Sequence, residues 1–307
     1  MDNIIPVRAC FDAYGDWSGA YLRGGKYGVT DLLQPARIVH LQHRHEKELP
    51  QENVAEKIKA FQGNAWHAFF EKNLRKANNS DAYKNRFLVE AKIINIILGE
   101  RIAGKIDLYD LVLDKLSDWK VTGTYKAKVG DYEDWEEQLN IYAWFLRSYG
   151  LITKEVSIIM ICPDWNKWEQ LRDPKYPEAM ITEIPLNIWL LDTTEDLIHT
   201  RVRLLKDTEN LPDEELPECT QMDMWLKSST FALMEPKKDR ATRVLPSMQE
   251  MEEYIAYREQ TKKPLKPGYT IVERKAERTR CENYCRVNGF CNQYQQYCME
   301  KTAEEVE

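Results

Sequence analysis

The chain has 307 residues, 43% of them hydrophobic and 11% aromatic, enough to bury a substantial core and too apolar for large-scale disorder. Its formal net charge of −7 argues against a protein that coats nucleic acid nonspecifically, although an acidic enzyme can still carry a local basic groove. No apolar run approaches the roughly 18 residues a membrane span needs, and the start MDNIIPVRAC lacks the basic and apolar regions of a signal peptide. The expectation is a soluble cytoplasmic protein without a membrane partner.

In chain order, residues 1–50 read as an N-terminal segment packing on the core that follows. From about Glu52 to Ala77 the residues Val54, Ile58, Phe61, Trp66, Phe69, Phe70 and Leu74 recur at near-helical spacing, with His67 among them. Arg86 to Leu98 is rich in β-branched and apolar residues and predicts a strand. Gly99 and Glu100 punctuate it before a second strand from about Ile102 to Leu113, and the polar turn Asp114-Lys115 precedes a third from Leu116 to Val121. These three predict an antiparallel meander.

A polar connection from Thr122 to Glu133 leads to WEEQLNIYAWFLRSYG, a helical pattern stopped by Gly150. Val156 to Cys162 is a short apolar run ended by Pro163, as for a buried strand returning to the sheet. Residues 51–163 thus form an α/β core. Beyond it the pattern turns helical and charged over 164–218, ending in the acidic linker LPDEELPE at Leu211 to Glu218. A cysteine-bearing region spans 219–298 and an acidic tail 299–307. The basic run from Lys262 to Arg280 is either a solvated helix face or a nucleic-acid contact.

The triplet D/E-x-K occurs five times, at Glu90, Asp118, Asp173, Glu235 and Glu273, so context must choose. Asp118 and Lys120 are two apart on a predicted strand and leave the same face, while Trp119 points into packing. Asp107, in GKIDLYD on the preceding strand, comes alongside Asp118 across the hairpin. Clustered carboxylates of this kind hold divalent metals, and a neighbouring lysine serves a water or a charged transition state, which is the equipment of phosphodiester hydrolysis. Gln138 and Tyr142, at i and i+4, share one helical face and can reach the same cleft. His67 is either a metal-binding imidazole or a hydrogen-bonded core histidine, and Tyr142 either serves the cleft or simply packs. Glu90, with Lys92 two residues on, is a further site carboxylate or a paired surface acid.

The stretches GNAWHAFFEKNL, GKIDLYDLVLDKLSDWKVT and WEEQLNIYAWFL, in that order over residues 60–150, resemble the RecB-like branch of the PD-(D/E)XK nucleases, particularly the phage-type exonucleases and the CRISPR-associated adaptation nucleases. The resemblance implies a restriction-endonuclease-like fold, a mixed sheet flanked by helices. It implies a Mg²⁺ or Mn²⁺ site built by His67, Asp107, Asp118 and Lys120, with Gln138 and Tyr142 contacting substrate or supporting the site. The function expected is a metal-dependent deoxyribonuclease, as an exonuclease on DNA ends with recombination or replication proteins as partners. The alternative is a cluster-stabilised DNA-binding protein whose nuclease site is vestigial.

Seven cysteines in a reducing compartment point to metal chemistry or ordinary core residues rather than disulfides. Cys281, Cys285 and Cys291 form C-x3-C-x5-C, and Cys219 lies after the acidic linker. Four thiolates suit an iron–sulfur cluster or a structural zinc. The resembling family often holds a cluster with one distant cysteine and three near the C-terminus, which implies a [4Fe-4S] cluster clasping the chain, with structural Zn²⁺ as the alternative. The match is imperfect: the usual spacing is C-x2-C-x5-C with the distant cysteine near the N-terminus, so Cys298 or Cys10 stands as a substitute for Cys219. Cys162, in the apolar run IIMIC, reads as an inert core thiol.

Overall fold

The computed structural model describes residues 24–50, 54–261 and 264–306, so Cys10, the predicted helix start at Glu52, and Lys262 and Lys263 lie outside the described residues. In chain order the larger elements are β1 (Tyr27–Gly28), α1 (Ala36–Arg44), α2 (Val54–Ala77), β2 (Phe87–Ile97), β3 (Glu100–Asp110), β4 (Lys115–Val121), α3 (Glu133–Arg147), β5 (Glu155–Ile161), β6 (Ile181–Leu186) and α4 (Leu191–Thr208). They continue with β7 (Leu226–Lys227), β8 (Thr230–Met234), β9 (Arg243–Leu245), α5 (Met248–Glu259), β10 (Thr270–Arg274), β11 (Glu277–Arg278) and α6 (Asn292–Val306). The described residues divide into two units, with breaks after Ala36, Leu49 and Asn210: the second holds those of 37–49 and those from Leu211 on, the first holds the rest. No helix among the described residues is long and apolar enough to cross a membrane.

The first unit is α/β, with a six-stranded mixed sheet flanked by helices. The β2–β3–β4 meander is antiparallel as predicted, and β2 and β3 join through Leu98 and Gly99, whose φ values of 51° and 83° make the tight turn that a right-twisted hairpin needs. Helix α3 carries the chain to β5, which pairs parallel with β4. Phe70 and Leu74 of α2 pack on Val89, Leu108 and Trp119, and Phe70 stacks on the Trp119 ring at 4.1 Å. Fully burying an aliphatic or aromatic side chain of this kind is worth roughly 1.5–3 kcal/mol.

The edges of β3 set up the site. One edge pairs with β2 from Glu100 to Asp110 except at Asp107, where the ladder is interrupted opposite Glu90. The other pairs with β1 at Ile102 and Ala103, and with β4 only from Leu108 to Asp110. Residues 104–107 therefore face a fork in the sheet.

Several expectations are corrected. The segment after Pro163 is not simply helical: Ile181–Leu186 forms β6 on the core sheet, with exposure alternating along it and Pro185 tolerable because the strand is at the edge. Leu111–Leu113 reads as strand yet is an exposed turn, and a short helix occupies Thr124–Val129 within the predicted connection. The acidic stretch after Leu211 is packed rather than a free linker: Leu216 is buried, and the carbonyls of Asp213, Leu216 and Pro217 accept from Arg37.

The second unit holds a three-stranded sheet, β10-β8-β9, over a core of Leu233, Met251 and Leu265. Charged residues at outward positions obscure its period-2 pattern. The basic run accordingly contains β10 and β11 and not one solvated helix, and the terminal acidic residues continue α6 to Val306. A separate core joins Ile38 and Leu41 of α1 to Leu216, Met224, Val287 and two of the cysteines.

Candidate functional site

Three acids lie in a row across three adjacent strands. The β2–β3 register runs Val89 to Leu108 and Ala91 to Ile106, which sets Glu90 opposite Asp107. The β3–β4 register ends at Leu108 and Ser117, one step short of Asp107 and Asp118. Where the ladder stops, the Trp119 N–H would lose its partner; Asp107 Oδ2 accepts it at 2.9 Å. Glu90 has φ of 50°, a left-handed conformation costly for a non-glycine residue, and its side chain is only 5% exposed.

His67, from α2, donates Nδ1 to Glu90 Oε1 at 3.0 Å and lies 3.5 Å from Asp107 Oδ1. Lys105, two residues before Asp107 on the same strand, pairs with Glu90. Lys120 Nζ is 2.8 Å from Asp118 Oδ2 and donates to Gln138 Oε1 at 2.9 Å. Tyr142 is buried against Gly104, where an added Cβ would fall 2.5 Å from Tyr142 Cε1 and 2.9 Å from Val29. His67, Lys105, Asp107, Asp118, Lys120, Gln138 and Tyr142, with Trp119, line a cleft of about 320 Å³.

The electrostatics follow from burial. Burial and the nearby Asp118 push the Asp107 carboxyl up to about 8, with His67 and the Trp119 N–H pulling the other way. Burial also acts to raise Glu90, but His67 and Lys105 outweigh it and hold its carboxyl below the usual range. For His67 burial opposes the charged form, and the hydrogen bond to Glu90 with the charge of Asp107 more than offsets it, so the imidazole is raised. Tyr142 is pushed well above an ordinary phenol by burial and by Asp118. It is therefore a neutral donor at any working pH.

His67, Glu90 and Asp107 are the one trio of His, Cys, Asp or Glu among the described residues whose ligand atoms lie within 4.8 Å of one another. The chemistry of the set suits a divalent cation. Glu90 Oε2 and Asp118 Oδ2 are buried and receive no well-directed hydrogen bond, although Lys105 and Lys120 stand beside them. Glu90, left open by sequence, thus joins His67 and Asp107 in one group of possible ligands. Lys105 and Gly104 were missed; strand alternation places Lys105 on the face of Asp107, which was the available signal.

In the second unit Cys219, Cys281, Cys285 and Cys291 line one small pocket, with Arg37 and Arg280 also at its wall. Burial, then the neighbouring Cys291 and Asp223, push the Cys219 thiol up to about 12, and burial with Cys285 pushes Cys281 up to about 11. Cys298 lies on α6, hydrogen-bonded to Tyr294. Cys162 is buried at the end of β5 in the first unit, its thiol raised to about 11 chiefly by burial.

No family model matches the chain, and no curated protein does. Solved structures overlap it in part. A protein crystallised as SSO0001 shares 19% identity over 60% of this chain and 77% of its own, with a TM-score of 0.42. A phage-related exonuclease from Haemophilus somnus 129PT shares 13% over 57% of this chain and 78% of its own, at 0.34. LHK-Exo, solved with dAMP, shares 12% over 60% of this chain and 93% of its own, at 0.32. These overlaps are partial, and the chemistry open to the chain is set by its own side chains.

Proposed function

We propose that the protein is a metal-dependent DNA nuclease of the PD-(D/E)XK type, acting as an exonuclease on DNA ends. The observation that carries this reading is the convergence of His67, Glu90 and Asp107, with Asp118 and Lys120 beside them, on the fork between β3 and β4. The motif order from His67 to Tyr142 supports it.

His67, Glu90, Asp107 and Asp118 would hold Mg²⁺ or Mn²⁺, which when bound supplies Lewis acidity at the phosphate and at a water. The chain's own residues do the rest. Asp118 and Gln138 fix the Lys120 head group at the cleft, where as an amine it would take a proton from the attacking water or as an ammonium would meet charge developing on the phosphate. Tyr142, protonated throughout, orients by donation rather than by proton transfer.

The four-cysteine pocket would hold a [4Fe-4S] cluster as a structural clasp within the second unit. The C-x3-C-x5-C spacing, without the tight C-x2-C pairs usual for zinc, supports this centre over zinc.

The test is incubation of the purified protein with end-labelled single- and double-stranded DNA, linear and circular, with Mg²⁺, Mn²⁺ or EDTA. Cleavage confined to linear DNA and abolished by EDTA is expected. Metal-independent cleavage, or binding with no cleavage under any condition, would overturn the reading, the second outcome in favour of a vestigial site.

A further inference from the structure

Arg37, near the start of α1, is only 2% exposed, and its guanidinium is held on every side. Nε donates to the Pro217 carbonyl at 3.0 Å and Nη1 to the Asp213 carbonyl at 3.4 Å. Nη1 also reaches Asn292 Oδ1, and Nη2 the Leu216 carbonyl. All of these acceptors are neutral. The remaining partner is Cys291 Sγ, 4.0 Å from Nη1.

Among the described residues no carboxylate pairs with Arg37. The Asp213 carboxylate is taken by Arg44 and His45, and that of Asp223 by Thr220. A guanidinium keeps its proton in proteins, and a buried charge without a counter-charge is strongly destabilising. The position calls for an anion. Four thiols would supply none, but four thiolates on a zinc ion or an oxidised cubane leave net negative charge. Arg280 lines the same pocket, donating to the Asp223 carbonyl at 3.3 Å, and is a second cation on its wall.

We propose that Arg37, assisted by Arg280, is the counter-ion of a metal–thiolate centre at Cys219, Cys281, Cys285 and Cys291, governing how tightly the centre is retained and, for iron, its reduction potential. The proposal rests on the cysteine reading above, but its evidence is a separate one: a buried cation whose anion is otherwise missing. Arg37 acts through the sulfurs and touches no reacting group.

The test uses full-length protein purified anaerobically, as wild type, Arg37→Gln, Arg37→Lys, Arg280→Gln and Asn292→Ala. Metal content, the rate of metal release to a chelator, the midpoint potential and thermal stability are measured. Arg37→Gln should release metal roughly tenfold faster or more, the range for loss of an outer-shell partner, and an iron centre should move to lower potential because a positive charge is missing when the electron arrives. Arg280→Gln should shift both in the same direction by less. Arg37→Lys keeps the charge and should stay near wild type in potential. Asn292→Ala removes a neutral partner and should lower stability alone, which separates charge from packing. If Arg37→Gln does not fold, Arg280→Gln and Arg37→Lys decide: an unchanged Arg280→Gln, or an Arg37→Lys that loses potential, overturns the proposal. Metal-loaded wild type with an indifferent, folded Arg37→Gln would overturn this proposal alone, while wild type free of iron and zinc would overturn the cysteine reading with it.

Discussion

Asp107 is buried on β3 with Asp118 beside it, and in the metal-free protein these push its carboxyl up to about 8. An acid whose folded pKa is raised stabilises the fold fully below its unfolded value and loses that contribution as pH rises toward the folded one. The window runs from about 4, the unfolded value, to about 8. His67, also raised, works in the same direction on its own titration. Glu90, held low, acts only under more acidic conditions. The metal-free protein should therefore melt at lower temperature at pH 8 than at pH 5.5, roughly speaking, and Asp107→Asn should flatten that slope. Metal displaces the proton, so Mn²⁺ affinity should rise across the same window, by at most about tenfold per pH unit for one proton. Calorimetry at several pH values checks both. Asp118→Asn removes a like charge, so cleavage should vanish while DNA binding and melting temperature hold or improve slightly; wild-type turnover would sink the assignment. Lys120→Arg brings a wider planar head that does not deprotonate, and activity should fall roughly 10²-fold, whereas the same change at Lys92 should do little.

At the level of elements, the meander, the helix carrying Gln138 and Tyr142 and the returning strand were legible because each buries one face at the period its backbone dictates. That Asp107 lies alongside Asp118 followed from two-residue alternation and the hairpin, although the β3–β4 ladder ends one step short of them. Glu90 was not decidable, because its value depends on a left-handed backbone that lets it lie opposite Asp107, and no sequence period encodes that. Nor does periodicity reveal that β3 changes partners from β1 to β4, which is what opens the fork. Gly104 sits in that gap with Tyr142 directly over it. An alanine there must displace the ring or the backbone, and overpacking of this kind costs about 1–3 kcal/mol. Gly104→Ala should thus lower both stability and turnover. Glu90→Gln should weaken metal binding and cut activity while Lys105, its ion-pair partner, remains in place. A Glu90→Gln enzyme with normal metal dependence would return Glu90 to the role of a paired surface acid.

Across the whole molecule the two units were unequally readable. The first declares itself through a run of apolar strands. The second is a small sheet with charged outward positions, a segment of α1 from far upstream and a pocket assembled from Cys219 and three cysteines more than sixty residues away, so its core is non-local and nearly silent in any short window. That same non-locality predicts how it fails. A centre at the four sulfurs would tie the turn after Leu216 to the Cys281–Cys291 segment, and metal-binding energy would then be folding energy for that unit. Cys281→Ser should lose iron and raise hydrogen exchange in peptides from residues 211–225 and 279–295. Asp118→Asn should leave both untouched, because it bears on the reactive cation and not on the clasp. Cys162→Ser, in the other unit, should keep wild-type iron content. Elemental analysis with peptide-resolved exchange reads all three variants. Stoichiometric zinc in place of iron would keep the clasp and reject the cluster, and a Cys281→Ser protein with unaltered exchange in those peptides would reject the clasp itself.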